Sequence, residues 1–165
     1  MSTETNSTLN KKLLIIAHCP TSNTQAMGNA LLYGSKNSEI ENVDVILKSP
    51  FDTHADDVLS SDAIILFTTE NFGYMSGALK DFFDRNYYLC LAEPKRNDAK
   101  PFALIIKAGL DGTGTDLAVH KIIKGLKWRE VHKTLICKGE YTDSFAEQCS
   151  ELALTIAAQL DNNLI

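Results

Sequence analysis

Three uninterrupted apolar runs, Leu13–Ala17, Ala63–Phe67 and Phe102–Ile106, constrain the fold of this chain more than any other feature. Strands with one wet face alternate apolar and polar residues, whereas strands covered on both faces by helices read as continuous Val, Ile and Leu runs. Weaker runs at Val43–Leu47 and Thr134–Cys137 bring the expected strands to five, and segments of helical spacing separate them. Strands alternating with helices imply right-handed crossovers, a parallel sheet and helices on both faces. The expected architecture is therefore a three-layer α/β sandwich.

The intervening segments fit that scheme. Ala26, Ala30 and Leu31 form a stripe on a helix that exits at Gly34-Ser35, and residues 52–59 form a short polar element. A helix spans about 76–86, with Leu79, Phe82 and Phe83 at offsets of three and four. Residues 87–100 show no stable period and are expected to be a loop. A further helix carries Leu117, Ile122, Ile123 and Leu126, and a last one spans about 144–160 with Cys149, Leu152, Ala153, Ile156, Ala157 and Leu160 on one stripe. Residues 1–10 are too polar to repay ordering and read as a disordered tail, which leaves 11–165 as a single domain. With 165 residues, 44% of them hydrophobic, the chain can bury one sizeable core.

Sixteen Lys and Arg against twenty-one Asp and Glu give a net charge of −5, so no bulk positive charge is offered to nucleic acid or an anionic membrane. No apolar run approaches the roughly 20 residues needed to cross a bilayer. Neither nucleic-acid binding nor membrane insertion is expected, and the expected location is cytoplasmic. Cys19, Cys90, Cys137 and Cys149 are scattered, without a CxxC pair, and read as free thiols.

In an open parallel sheet, ligands bind beyond the carboxyl ends of the strands. Three segments there carry suitable chemistry: 18–24, 68–75 and 108–114. The first offers His18, the hydroxyls of Thr21, Ser22 and Thr24, the amide of Asn23, and backbone N–H groups at a helix start. Composition alone leaves two readings open, an anion cradle or an ordinary capped turn. The chain lacks GxxxxGK[ST], and no GxGxxG follows the first strand, so neither the P-loop nor the dinucleotide fingerprint applies. The second segment, Thr68-Thr69-Glu70-Asn71-Phe72-Gly73-Tyr74-Met75, could enclose a flat polar heterocycle, or Phe72 and Met75 could simply pin it to the core. Cys19 reads as a structural thiol, because no base accompanies it. His54, His120 and His132 lack metal-ligand spacing. Glu70 reads either as a polar ligand contact or proton-relay group, or as a solvated carboxylate. Lys80, Asp81, Asp84 and Arg85 read as solvated helix charges, and Tyr87, Tyr88 and Trp128 suit either a dimer surface or core anchoring.

The run from Thr68 to Arg85, and within it Met75-Ser76-Gly77-Ala78-Leu79-Lys80-Asp81-Phe82-Phe83-Asp84-Arg85, resembles the flavin-contacting loop and following helix of the flavodoxin-like superfamily. It is most similar to the NAD(P)H-dependent FMN reductases and the WrbA-like NAD(P)H:quinone oxidoreductases. The first loop resembles the superfamily's phosphate loop, Ser-x-Thr-Gly-Asn-Thr, with Thr21, Asn23 and Thr24 matching, Cys19 in place of Ser and Ser22 in place of Gly. The resemblance implies a flavodoxin-like three-layer sandwich with a five-stranded parallel sheet in the order 2-1-3-4-5. It implies FMN held by His18, Cys19, Thr21, Ser22, Asn23 and Thr24 at the phosphate, and by Thr69, Glu70, Asn71, Phe72 and Gly73 at the ring. Gly109, Gly112 and Thr113, with Gly114, match the third flavin-side loop. The implied reaction carries electrons from NAD(P)H through FMN to a quinone, a flavin or another small acceptor, without a protein nucleophile, in a homodimer or dimer of dimers. Two alternatives stay open: a flavodoxin-like electron carrier without efficient NAD(P)H turnover, and a non-catalytic binding protein.

Overall fold

The computed structural model describes residues 9–165; the tail expected at 1–10 falls, apart from exposed Leu9 and Asn10, outside the described residues. In chain order the elements are β1 (Lys11–Ala17), α1 (Ser22–Ser35), β2 (Val43–Lys48), a 3₁₀ turn (Pro50–Asp52), α2 (Ala55–Ser60), β3 (Ala63–Asn71) and β4 (Tyr74–Met75). There follow α3 (Gly77–Leu91), α4 (Pro94–Asn97), β5 (Pro101–Ala108), α5 (Thr113–Leu126), β6 (Arg129–Glu130), β7 (Leu135–Lys138) and α6 (Asp143–Asp161).

The sheet runs β2-β1-β3-β5, with β6 and β7 both parallel to β5 at its edge. The five expected runs therefore stand in the expected 2-1-3-4-5 order. Alternate residues of the central strands feed two separate cores, which is why their sequences are apolar throughout. Leu14, Ile16, Ile64, Leu66, Leu104 and Ile106 pack under α2, α3 and α5. Leu13, Ile15, Ile65, Phe67, Ala103 and Ile105 pack under α1 and α6. Ile15, Ile65 and Ile105 are fully buried, and each such side chain contributes about 1.5–3 kcal/mol.

Three details differ from the sequence reading. The last strand is two pieces, because the four residues 131–134 must span the gap that only Ala103 and Leu104 cover on β5. The ladder bows out there. Residues 87–100 are largely helical: α3 runs on to Leu91, since Leu79, Phe83, Asn86 and Cys90 keep one buried face, and α4 follows. Exposed Tyr88 and Leu89 mask that period in the sequence. Residues 68–75, read as a loop after the third strand, are instead the end of β3, a two-residue turn and β4, pairing Glu70 with Met75 and Asn71 with Tyr74.

Arg85 is also not simply solvated. Its guanidinium donates to the carbonyls of Pro50 at 2.8 Å and Thr53 at 3.1 Å while pairing with Asp81 at 2.8 Å, so it fastens the chain before α2 to α3. Lys80 and Asp84, read as solvated helix charges, form an exposed pair at i and i+4, a type of contact that adds little. Trp128 is buried and donates to Asn97 Oδ1 at 2.8 Å, an anchoring role.

The bowed edge is clamped from α5. His120 Nε2 lies 3.0 Å from Glu130 Oε1 and Nδ1 lies 3.0 Å from Asp116 Oδ1, while the Thr134 hydroxyl donates to Asp116 at 2.9 Å. Burial pulls the imidazole pKa down, but the Asp116 carbonyl and the carboxylates of Glu130 and Asp116 outweigh it, so the net shift is upward. A folded pKa above the unfolded value stabilises the fold fully below about pH 6.5, and this contribution is lost as pH rises through the folded value. The melting temperature of the wild type is thus expected to fall between pH 6 and pH 8 relative to that of His120→Gln. Parallel melting curves across that interval would remove the clamp from the account.

Candidate flavin site at the carboxyl edge of the sheet

The three suspected segments lie at or just beyond the carboxyl ends of β1, β3 and β5, which are neighbours in the sheet, so the fold brings them to one edge. Their chemistry differs from segment to segment.

In the first, Thr21 is the N-cap of α1. The Thr21 and Thr24 hydroxyls lie 3.0 Å apart; Thr24 N–H donates to Thr21 Oγ1 at 3.3 Å, and Thr21 N–H donates to Thr24 Oγ1 at 2.9 Å. This is a reciprocal capping box, and Thr24 is buried within it. Thr24 therefore shapes the turn at the start of α1. Gln25 N–H is bound to the Thr21 carbonyl at 2.8 Å. Among the described residues the N–H groups of Ser22 and Asn23 have no partner, and both side chains are exposed. Two open backbone donors, a hydroxyl and an amide at the positive end of a fourteen-residue helix fit a phosphate. The capped-turn reading holds for Thr21 and Thr24, while Ser22 and Asn23 carry the donors that an anion cradle needs.

His18 and Cys19 flank that turn and are half-buried. Burial lowers the His18 pKa, so at neutral pH its ring is neutral and has a hydrogen bond to offer instead of a charge. Burial pushes the Cys19 thiol up to about 11, with a backbone hydrogen bond from Gly28 acting against it. It is no thiolate nucleophile at neutral pH. A side chain on Gly28 would collide with its sulfur, at 2.8 Å, so the thiol fills a fitted slot against α1.

The second segment is the β3–β4 hairpin. Phe72 and Gly73 both have positive φ, 55° and 73°, as a tight I′-type turn requires. Asn and Gly adopt this conformation readily, and an aromatic residue seldom does. The Phe72 ring is fully exposed at the tip. The base is held by a buried pair: Thr68 Oγ1 donates to Ser76 Oγ at 3.1 Å and accepts from Ser76 N–H at 3.1 Å, while Ser76 Oγ caps α3 by accepting from Leu79 N–H at 3.1 Å. The sequence reading missed this pair. Thr69 donates to Asn71 Oδ1 at 2.8 Å on the exposed side.

The third segment crosses from β5 to α5. Thr113 N–H and Oγ1 both donate to Asp111, at 3.0 Å and 2.8 Å, and these bonds, the hydroxyl first, lower the Asp111 pKa. Gly109 borders open space, and Gly112, at φ 73°, is the N-cap of α5. The second and third segments touch directly. Glu70 accepts from Leu110 N–H at 2.6 Å and from Gly112 N–H at 2.8 Å, and a Cβ on Gly114 would stand 2.3 Å from the Gly73 carbonyl oxygen. Among the described residues no cluster of His, Cys, Asp and Glu suits a metal ion.

An α/β sandwich with this strand order and a ligand edge of this form defines the flavodoxin-like fold. Known structures agree. A flavodoxin from the domain Archaea matches with a TM-score of 0.74 at 21% identity, over 90% of this chain and 98% of that one. A two-electron reduced flavodoxin of Megasphaera elsdenii matches with a TM-score of 0.71 at 23% identity, over 88% and 98%. A flavodoxin, WrbA-like protein of Agrobacterium tumefaciens matches with a TM-score of 0.71 at 16% identity, over 93% and 98%. These likenesses concern the fold. No curated protein matches the chain in sequence. The family model of the NADPH-dependent FMN reductases matches residues 31–142, about two thirds of the chain. The chain belongs to that family, one of flavin-binding oxidoreductases. The match includes the hairpin and the third segment and begins after the first.

Proposed function

We propose that the chain binds FMN along this edge and passes electrons from NAD(P)H to a small acceptor such as a quinone or a free flavin. The observation that carries the reading is the pairing of two unlike surfaces at one sheet edge: open N–H donors at the start of α1, and a hairpin fastened to a glycine-bearing loop beside it. The first surface fits a phosphate, and the second fits the border of a planar ring.

FMN, when bound, supplies acceptance of a hydride and its onward delivery as electrons. The protein's part is positional. Ser22 and Asn23 hold the phosphate through backbone N–H groups and side chains, with neutral His18 as a further donor. Thr68 and Ser76 keep the hairpin upright beside the ring. Phe72 and Leu110, both exposed, border the edge with apolar surface suited to an aromatic donor or acceptor. No acid or base within the chain is required. Exposed Phe72, Leu110 and Leu117 also support a homodimer, in which a second copy covers this rim.

Anaerobic addition of NADPH or NADH to the FMN-loaded protein tests the reading. Bleaching of the flavin within seconds, and turnover on adding a quinone, are expected. An FMN complex that neither nucleotide bleaches would instead be an electron carrier, the reading favoured by the likeness to flavodoxins.

A further inference from the structure

The last β3–β5 pair is Thr69 with Lys107; beyond it the strands part, β3 into the hairpin and β5 into residues 109–112. Backbone that leaves a ladder loses its partners and needs others. Glu70, the first residue past the parting, supplies them. Its two carboxylate oxygens take the N–H groups of Leu110 and Gly112, forty and forty-two residues away, at 2.6 Å and 2.8 Å. Both bonds are charge-assisted, and the second lies at the N-cap of α5, where helix polarity favours a carboxylate. A second tie closes the far end of the hairpin, where Gly114 packs on the Gly73 carbonyl. Between the ties, Phe72 is held in a left-handed conformation that an aromatic residue does not choose unaided.

We propose that Glu70 is a positioning residue: it straps the hairpin to the 109–112 loop, so that the two sides of the flavin-ring site form one rigid edge. This inference rests on the proposed flavin site and revises the part Glu70 plays in it. With both oxygens engaged by the chain's own N–H groups, the carboxylate acts on the ring through the two segments it joins.

The test compares the wild type with Glu70→Gln and Glu70→Ala. The glutamine keeps the size but turns an NH2 toward one of the two N–H groups, and the alanine removes both acceptors. In the FMN-free protein, hydrogen exchange at the Leu110 and Gly112 amides is expected to accelerate by about tenfold or more in both variants, with exchange in β1 and β5 unchanged. The dissociation constants of FMN and of riboflavin, which lacks the phosphate, are expected to rise by the same factor, about tenfold, since only the ring side is loosened. Unchanged exchange with unchanged affinities overturns the proposal. So does weaker binding without faster exchange, which would make Glu70 a direct flavin contact, and so does faster exchange with intact affinity. A loss confined to FMN would also contradict it, by placing the effect at the phosphate. A wild type that binds neither flavin refutes the flavin site itself, and the amide exchange then still decides whether Glu70 joins the two segments.

Discussion

Gly114→Ala is expected to weaken FMN binding by about ten- to a hundredfold while leaving the protein folded. The added methyl would lie 2.3 Å from the Gly73 carbonyl oxygen, far inside van der Waals contact, and the obstacle is backbone, which cannot rotate away. Either α5 or the hairpin must move. The hairpin is the softer of the two, because its tip is a two-residue turn with exposed neighbours, whereas α5 is anchored by buried Val119, Ile123 and Leu126. Overpacking of this kind costs about 1–3 kcal/mol, and each 1.4 kcal/mol is tenfold in a dissociation constant. Fluorescence titration with FMN reads the effect. Wild-type affinity in this variant would mean that the hairpin does not border the ligand.

Gly34→Ala is expected to have the opposite profile, a large loss of stability with unchanged FMN affinity in the folded protein. A Cβ there would stand 2.0 Å from the Ser150 carbonyl oxygen, where α1 packs directly on α6. The two helices would have to separate over the core formed by Met27, Leu31, Cys149, Ala153 and Ile156. A cost of about 3 kcal/mol lowers the melting temperature of a chain this size by roughly 6–12 °C. Calorimetry of the variant, followed by FMN titration well below its transition, separates the two quantities. The pair of glycine variants thus distinguishes a site-building contact from a fold-building one.

What the sequence makes legible follows from how local each cause is. Leu13–Ala17, Ala63–Phe67 and Phe102–Ile106 announce their strands because burial on both faces acts on every residue. The hairpin is less visible, since Phe72-Gly73 is not the usual turn pair and β4 is only two residues long. The continuation of α3 is hidden by exposed Tyr88 and Leu89, although Cys90 keeps the buried stripe. The break between β6 and β7 depends on counting residues across a ladder, which no single segment encodes. Within the site, Ser22 and Asn23 could be named as donors, but the engagement of Thr21 and Thr24 with each other required coordinates. Glu70 stands out as a carboxylate in a loop of interest, while its partners lie forty residues further on.

The central claim is that one ligand touches three separated segments at the carboxyl edge of the sheet. Titrating FMN into the isotopically labelled protein and following backbone amide resonances tests it directly. The account predicts saturable one-to-one binding, with the largest shifts at Ser22 and Asn23, at Glu70–Gly73 and at Gly109–Gly112. Shifts confined to the groove that Ala55, Leu59, Asn86 and Leu89 line between α2 and α3, or no saturable shifts at all, would contradict it.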